Sequence, residues 1–300
     1  MEQSDNNTAL PAGEQDELSR LRRSIDAVDE KIAEMLVQRA RLAKAVGAAK
    51  GGVNVYRPER EQAVIAHALE RSSQAGSPLS AESVRRIYTE IISACRALES
   101  RPSVAFLGPK GTFTEMAVIA QFGSSVDMMP CASIDGAFHA AESHTAQYAV
   151  VPVENSTQGT VTRTMDLLLS TALVVIGEVN IAVRHNLMNR SGRIEDVEEV
   201  CAHPQALAQC RSWLAAHLPN AKITSAASNA EAAVLASKNV KLAAIAATRA
   251  AELYDLKILA QSIQDNPRNT TRFWVLGTQT AGKAPDVLTK TAIIFSVPNR

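Results

Sequence analysis

Four segments of the 300-residue chain place polar side chains where short apolar runs end: GPKGTFTE from Gly108, VPVENSTQGTV from Val151, AHPQALAQC from Ala202 and NTTRFWVLG from Asn269. Convergent hydroxyl, amide and guanidinium groups suit a cleft that binds a small polar acid. Ordinary helix capping could explain each segment by itself. Thr112 with Glu115, for example, has the spacing of a capping box. Helix N-termini are anion sites as well, so only the four segments together favour a binding cleft.

An arginine also falls where an apolar residue is expected in the N-terminal part. Apolar residues recur there every three or four positions, a heptad pattern: Leu18, Leu21, Ile25, Val28, Ile32, Met35, Leu42 and Val46. The same series places Arg39 in the seam, where an unpaired arginine is costly. Three interpretations stay open: an ion pair with Glu61 or Glu99, an arginine whose head reaches water, or a buried anion site.

Other charged residues could join Arg39 around one anion. Lys50 is about 20° from Arg39 around a helix, whereas Arg22 is about 100° away, so a partner helix would have to supply Arg22. Two further predicted helices contribute the remaining candidates: Arg57, Arg60, Glu61, Cys95 and Glu99.

The elements that must position these residues differ between the two parts of the chain. A helix from Leu18 to Gly51 would be roughly 50 Å long, so we expect it to pair with a second copy. Further helices are predicted to begin at Pro58 and after the N-cap Ser80, which makes residues 18–100 a dimeric three-helix unit.

The part from residue 103 to 278 alternates short apolar runs with helical stretches. This alternation is typical of an α/β domain with a largely parallel sheet, in which ligands bind beyond the carboxyl ends of strands or between lobes. The predicted strands are SVAFLG, YAVVPVEN, ALVVIGEV, EEVCAHP, KLAAIAA, LKILAQS and RFWVLG.

Composition excludes several classes of protein. Acidic and basic residues number 31 each, so no net field favours nucleic acid or a membrane surface, and the apolar runs are too short to span a bilayer. Residues 1–17 lack the features of a secretory signal and are predicted to be a disordered lead-in. The four cysteines lack metal-ligand spacing. We therefore expect reduced thiols, a cytoplasmic location, and neither metal nor cofactor.

The helical part resembles the all-helical chorismate mutases over residues 18–100. The matching stretches are LRRSIDAVDEKIAEMLVQRARLAKAVGAAK, YRPEREQAV and EIISACRALE. The resemblance implies that Arg39, with Arg22 of a partner chain in an intertwined homodimer, clamps the two carboxylates of chorismate. It also implies that Lys50 and Glu99 flank the ether oxygen and that Arg60 and Glu61 line the pocket.

The helical part departs from that family at three positions. Cys95 stands where a hydroxyl residue is common, Arg57 where some relatives carry Asp, and Glu99 where some carry Gln. An ionised Glu99 would repel the developing oxyanion, so Glu99 is expected to act in its protonated form. Rearrangement of chorismate to prephenate needs no covalent intermediate, so positioning and preorganised cations suffice.

The α/β part resembles prephenate dehydratase over residues 103–278, because the four polar segments occur in that family's order. The resemblance implies two α/β lobes around a hinge, like a periplasmic binding protein, with Thr271 as the catalytic threonine. Asn155 and Gln209 then fall on pocket positions, and four residues on or beside them: Glu154, Ser156, Arg272 and Phe273. Thr112 is a further candidate at its helix N-terminus, and Ala202 departs from the Ser that many relatives carry.

Together the two resemblances imply a bifunctional enzyme of phenylalanine synthesis whose substrates are chorismate and prephenate. Residues 279–300 are predicted to be a linker and the first strand of a truncated ACT domain, with little feedback control by phenylalanine. Two alternatives stay open: a dehydratase that prefers arogenate, and a non-catalytic ligand sensor, which would have no need of Thr271.

Overall fold

The structure is a computed structural model that describes residues 12–50, 56–278, 290 and 293, with the side chains of residues 15–49 in the first range. Its contacts divide the chain into two units, residues 1–53 and 54–300, so the predicted three-helix unit of residues 18–100 falls partly in each. The first unit is described here by its helix α1, Ala12–Lys50.

Helix α1 begins earlier than the sequence predicts. The disordered lead-in predicted for residues 1–17 is too long, because the helix already includes residues from Ala12 onward. Polar residues such as Asp16 and Glu17 resemble a disordered segment in composition, but acidic side chains near a helix N-terminus are favoured by the helix dipole. Residues 1–11 lie outside the described part.

The second unit contains nine α-helices, one short 3-10 helix (Ile194–Asp196) and eleven strands in the ranges that the structure describes. In chain order they are α2 (Pro58–Gln74), α3 (Ala81–Arg96), β1 (Ser103–Leu107), α4 (Phe113–Phe122), β2 (Asp127–Cys131), α5 (Ile134–Glu142), β3 (Tyr148–Asn155), β4 (Gly159–Thr160), α6 (Thr162–Leu168), β5 (Val174–Ala182), β6 (Asn186–Asn189), β7 (Glu199–Ala202), α7 (Pro204–Gln209), α8 (Arg211–His217), β8 (Lys222–Ser225), α9 (Asn229–Lys238), β9 (Leu242–Ala246), α10 (Thr248–Tyr254), β10 (Lys257–Ala260) and β11 (Thr270–Gly277).

Helices α2 and α3 begin where the sequence predicts. Pro58 occupies the first turn of α2, and the hydroxyl of Ser80 accepts a hydrogen bond from Ser83 N at the start of α3. Helix α3 packs against α2 on one side and against α4 on another. It therefore joins the helical segment to the α/β part.

The α/β part has two lobes, each built on one sheet. The first sheet has the order β2-β1-β3-β11-β5, and the second has the order β10-β6-β9-β7-β8. Aromatic side chains fill the core of the first lobe, where Phe106, Phe122 and Phe273 are buried together. The second core is rich in alanine, including Ala233 and Ala244, so its helices lie close to the sheet.

The chain passes between the lobes twice, after β5 and again before β11. The returning strand β11 enters the middle of the first sheet and runs antiparallel to both β3 and β5. The prediction of a largely parallel sheet is therefore wrong, since both sheets are mixed. The order of strands along a chain cannot reveal a strand that returns to an earlier sheet from the other lobe.

Several short elements were absent from the prediction. Strands β2, β4, β6 and β8 and helix α10 have two to seven residues each, which is too short for a clear apolar period. The helix predicted across PQALAQCRSWLAAHL is broken at Cys210, where α7 ends and α8 begins. The predicted linker and strand of residues 279–300 lie outside the described residues, apart from positions 290 and 293.

None of the helices in the described ranges combines the length and the apolar character that crossing a membrane requires.

Candidate functional site

Asn155, at the end of β3, is the centre of a hydrogen-bond network between the lobes. Its Nδ2 donates to Thr271 Oγ1 at 2.8 Å and to Asn269 Oδ1 at 3.0 Å. Its Oδ1 accepts from both the backbone N–H and the hydroxyl of Thr157. Because both ends of the amide are bonded, the orientation of Asn155 is determined by the fold.

Gln209, at the end of α7 in the second lobe, closes this network. Its Oε1 accepts from Asn269 Nδ2 at 3.1 Å and lies 2.8 Å from His185 Nε2, while its Nε2 donates to Thr157 Oγ1 at 3.3 Å. Since Gln209 Oε1 is an acceptor, His185 must donate from Nε2, which leaves Nδ1 as an unprotonated acceptor. Burial lowers the pKa of His185 below its ordinary value, so its ring is neutral near pH 7.

Thr271, on β11, keeps its own hydroxyl hydrogen for another acceptor. Its Oγ1 receives the hydrogen bond from Asn155, and a hydroxyl carries one donor besides its acceptor lone pairs. The aromatic edge of the site is formed by Phe113, whose ring meets that of His185 edge-on with centroids 5.6 Å apart. The site can therefore donate a hydrogen bond from Thr271 within a neutral, largely amide-lined network.

Ser156 belongs to the same cluster, whereas three other candidates do not. Ser156 Oγ accepts from Thr270 N at 3.0 Å and lies 3.4 Å from Asn269 Oδ1. Neighbouring strand residues point to opposite faces, so Arg272 lies on the other face of the sheet from Thr271. There it forms an ion pair with Glu154. Phe273 is buried in the core of the first lobe.

Thr112 is the N-cap of α4. Its hydroxyl accepts from Glu115 N, and Glu115 in turn accepts from Gly111 N through Oε2. Glu115 also forms an ion pair with Arg249, on α10 of the second lobe, whose Nε lies 3.7 Å from Glu115 Oε1. Thr112 is therefore an N-cap as its spacing to Glu115 predicts, but Glu115 bonds Gly111 N instead of Thr112 N, so the capping box is not complete. Glu115 also links the lobes.

The second group of candidates lies at the start of α2, where Arg57 is the N-cap, on α3 and just beyond α3. Glu61 Oε1 lies 2.6 Å from Arg96 Nη1 in an ion pair, and Arg57 pairs with Glu59 at 2.8 Å. Cys95 is buried, Arg60 is exposed, and Glu99 has one buried oxygen, Oε2, that finds no hydrogen-bond partner within the described ranges. The pKa of the neighbouring Tyr56 is raised, first by burial and then by the Glu61 carboxylate.

The remaining candidates of this group belong to the first unit. Arg22 is exposed and Arg39 is partly buried on α1. The side chain of Lys50 lies outside the described residues. Glu61, Cys95 and Glu99 therefore belong to the second unit, and Arg22 and Arg39 belong to the first.

Two family models match the chain: Chorismate mutase type II over residues 21–100 and Prephenate dehydratase over residues 104–281. A bifunctional chorismate mutase/prephenate dehydratase of Neisseria gonorrhoeae is 45% identical over 282 residues, which cover 93% of this chain and 76% of the relative. The chain belongs to the bifunctional chorismate mutase/prephenate dehydratase family. It is an enzyme of phenylalanine biosynthesis that rearranges chorismate to prephenate and converts prephenate to phenylpyruvate.

Solved structures resemble the dehydratase part. A prephenate dehydratase from Arthrobacter aurescens, in complex with L-Phe, is 34% identical with a TM-score of 0.54 over 60% of this chain and 61% of that one. A protein named GqqA, described as a novel type of quorum quenching acylase, is 27% identical with a TM-score of 0.55 over 61% of this chain and 66% of that one. In both cases the match spans less than two thirds of the solved chain.

Three members of the dehydratase network were not among the predicted site residues: Thr157, His185 and Asn269. Thr157 and Asn269 lie inside the quoted segments, so the signal was present but was assigned to their neighbours. His185 lies in the passage between the lobes, outside all four segments. Its position becomes meaningful only when the second lobe brings Gln209 against it.

Proposed function

We propose that Thr271 is the catalytic hydroxyl of the dehydratase and that the amide network holds it in position. The observation that carries this proposal is the 2.8 Å hydrogen bond from Asn155 Nδ2 to Thr271 Oγ1. It directs the hydroxyl hydrogen of Thr271 away from Asn155, toward another acceptor. Asn269 Oδ1 accepts a second hydrogen bond from the same Nδ2 of Asn155, and Asn269 is held in turn by its hydrogen bond to Gln209.

In the proposed reaction the bond between the ring and its carboxylate breaks and releases CO₂. The electron pair of that bond enters the ring, which becomes aromatic as the 4-hydroxyl departs. Thr271 donates a hydrogen bond to the departing oxygen, and a proton that completes water reaches it through this hydroxyl from solvent. Threonine is too weak an acid to protonate the departing oxygen alone, and its neighbours in the described network are neutral as well: amides, the hydroxyls of Ser156 and Thr157, and His185. The proton therefore comes from solvent.

Thr271→Val tests this role with little change of shape. Removing one donor aimed at developing charge typically costs on the order of 10²–10³ in kcat. Supplied with chorismate, the variant should accumulate prephenate while phenylpyruvate formation falls by that factor. Thr270→Val is the matched control, because Thr270 is the adjacent residue on the other face of β11. Equal losses in the two variants, or an unimpaired Thr271→Val, would contradict the assignment.

We propose that the mutase site combines residues from two chains. Arg39 and Lys50 of one chain, with Arg22 of its partner, would bind the carboxylates and ether oxygen of chorismate, because arginine forks match carboxylates. Arg57, Arg60, Glu61 and Cys95 would complete the pocket. The buried Oε2 of Glu99, for which the described residues offer no hydrogen-bond partner, supports a Glu99 that donates to the ether oxygen.

A homodimer through α1 follows from the same proposal. The heptad face of α1 exposes large apolar side chains, with Ile25 at 58% and Met35 at 57%. A contiguous apolar stripe of this kind marks an interaction surface, and the heptad spacing fits a second α1. Sedimentation should show a dimer, and a monomer at micromolar concentration would contradict this assembly.

The location and the choice of dehydratase substrate are further proposals. The four cysteines are free, which suits the reducing cytoplasm. Labelling of the protein's thiols in intact cells by a membrane-impermeant reagent would contradict that location. We favour prephenate over arogenate because the fused mutase makes prephenate. A higher dehydratase kcat/KM for arogenate would reverse this choice.

A further inference from the structure

Arg96, in the last turn of α3, is a buried arginine that contacts three different segments. Only 4% of its side chain is exposed. Its Nη1 forms the 2.6 Å ion pair with Glu61 Oε1, and its Nη2 donates to the backbone oxygen of Phe122. The guanidinium carbon also lies 5.3 Å from the ring centroid of Tyr56 and 5.9 Å from that of Phe122.

The two polar partners of Arg96 belong to different catalytic domains. Glu61 lies in the first turn of α2, within the segment that matches chorismate mutase. Phe122 is the last residue of α4, within the segment that matches prephenate dehydratase. A cation at a helix C-terminus satisfies an otherwise unpaired carbonyl and interacts favourably with the helix dipole. The dehydratase domain thus provides a firm attachment for the guanidinium.

The geometry of the guanidinium makes this attachment directional. Arginine donates through a planar fork, and its guanidinium carbon lies over the adjoining rings of Tyr56 and Phe122. Fixing Nη2 on Phe122 O against these rings therefore also restricts the direction of Nη1. The Glu61 carboxylate is 17% exposed and meets Nη1 in that direction. A lysine would keep the charge but could not present two rigid donors to two helices.

We infer that Arg96 is a positioning residue of the mutase, which holds the Glu61 carboxylate in place from an attachment on the dehydratase domain. The inference rests on the proposed role of Glu61 in the chorismate pocket. It means that part of the geometry of the mutase site depends on α4, although α4 contributes no residue to that pocket.

The test uses the full chain with Arg96→Gln, Arg96→Lys, Glu61→Gln and the double variant Arg96→Gln/Glu61→Gln. Misplacement of a binding group by about 1 Å can cost on the order of 10²-fold. Arg96→Gln should therefore lower mutase kcat/KM by roughly 10- to 100-fold, mainly through KM, while dehydratase kcat/KM stays within about twofold. Arg96→Lys should restore mutase activity in part. The double variant should be no worse than Glu61→Gln, because both changes remove one interaction.

Arg193→Gln is the matched control, since Arg193 is 69% exposed and pairs with Asp196 on the surface. It should leave both activities unchanged. Melting temperatures and dehydratase activity report whether each variant is folded. If Arg96→Gln does not fold, Arg96→Lys decides alone, and a wild-type mutase kcat/KM in that variant overturns the inference.

The outcomes separate this inference from the proposal on which it rests. An undiminished mutase activity in Glu61→Gln overturns the role of Glu61 itself. If Glu61→Gln is impaired, two results overturn the role of Arg96: equal loss of both activities in Arg96→Gln, or additive losses in the double variant. Loss confined to the mutase, with no additivity, supports it.

Discussion

Gly123, directly after α4, is the position where the packing of α3 on α4 can be tested most sharply. Its φ is +72° and its ψ is −172°, a region that only glycine occupies readily. A Cβ built there would lie 2.6 Å from Ser93 Oγ, closer still to Ser93 Cβ, and 3.2 Å from Thr89 O. The obstructing atoms include helix backbone, which cannot move aside cheaply.

We predict that Gly123→Ala destabilises the second unit by about 2–6 kcal/mol, combining about 1–3 kcal/mol of backbone strain with about 1–3 kcal/mol of overpacking. Gly76→Ala is the control, because Gly76 also has a positive φ of +62° after a helix but nothing lies within 4 Å of its Cβ position. It should cost only about 1–2 kcal/mol.

Urea unfolding and thermal melts of both variants measure the difference, with roughly 2–4 °C expected per kcal/mol for a domain of this size. Both glycines follow helices, and replacing either by alanine lowers the conformational entropy of the unfolded chain by a similar amount. Equal destabilisation by the two substitutions would refute the close approach of α3 to α4 that the structure shows. A smaller cost of Gly123→Ala in a Ser93→Gly background than in the wild-type chain would support it, since Ser93→Gly removes the nearest obstructing atoms.

Two further predictions concern the proposed sites. Chains carrying Arg22→Ala and chains carrying Arg39→Ala should each lose mutase activity. Refolding them together in equal amounts should restore about one quarter of the wild-type activity, because half of the dimers are mixed and each mixed dimer has one intact site of two. No recovery would contradict a site shared between chains. Burial lowers the pKa of His185 below 6.5, so below about pH 6.5 the unfolded chain takes up a proton that the folded chain does not. The free energy of unfolding should therefore decrease as the pH is lowered through this range. Urea titrations at pH 7.5 and 5 should show a smaller decrease for His185→Asn than for the wild type. An equal decrease would show that His185 is not the group responsible.

Local signals in the sequence were sufficient for much of the architecture. Pro58 and Ser80 mark the starts of α2 and α3 because their physical effects act within one helical turn. The seven apolar runs predicted as strands all contain strands of the structure. The mixed direction of the sheets could not be predicted, since β11 pairs with strands that precede it by a whole lobe.

The candidate site shows the same limit at the level of single residues. Asn155 and Thr271 were predicted from their segments, and the structure places them in contact. His185 and Arg96 were not predicted, because each acquires its partners only through tertiary packing: Gln209 from the second lobe and Phe122 from α4. Arg272 is the opposite case: its segment predicts a position on or beside the pocket, whereas strand alternation directs its side chain to the other face of the sheet, where it pairs with Glu154.

The late return of β11 to the first lobe has a consequence for biosynthesis on the ribosome. Strand β5 ends at Ala182, yet its neighbour β11 begins only at Thr270. At a translation rate of roughly 5–20 residues per second, the facing edges of β3 and β5 stay unpaired for several seconds before β11 is synthesised. Unpaired strand edges are prone to association with other chains. The nascent first lobe is therefore expected to need protection, by a chaperone or by rapid folding of the second lobe, and the chain acquires Thr271 in the same step that closes the sheet.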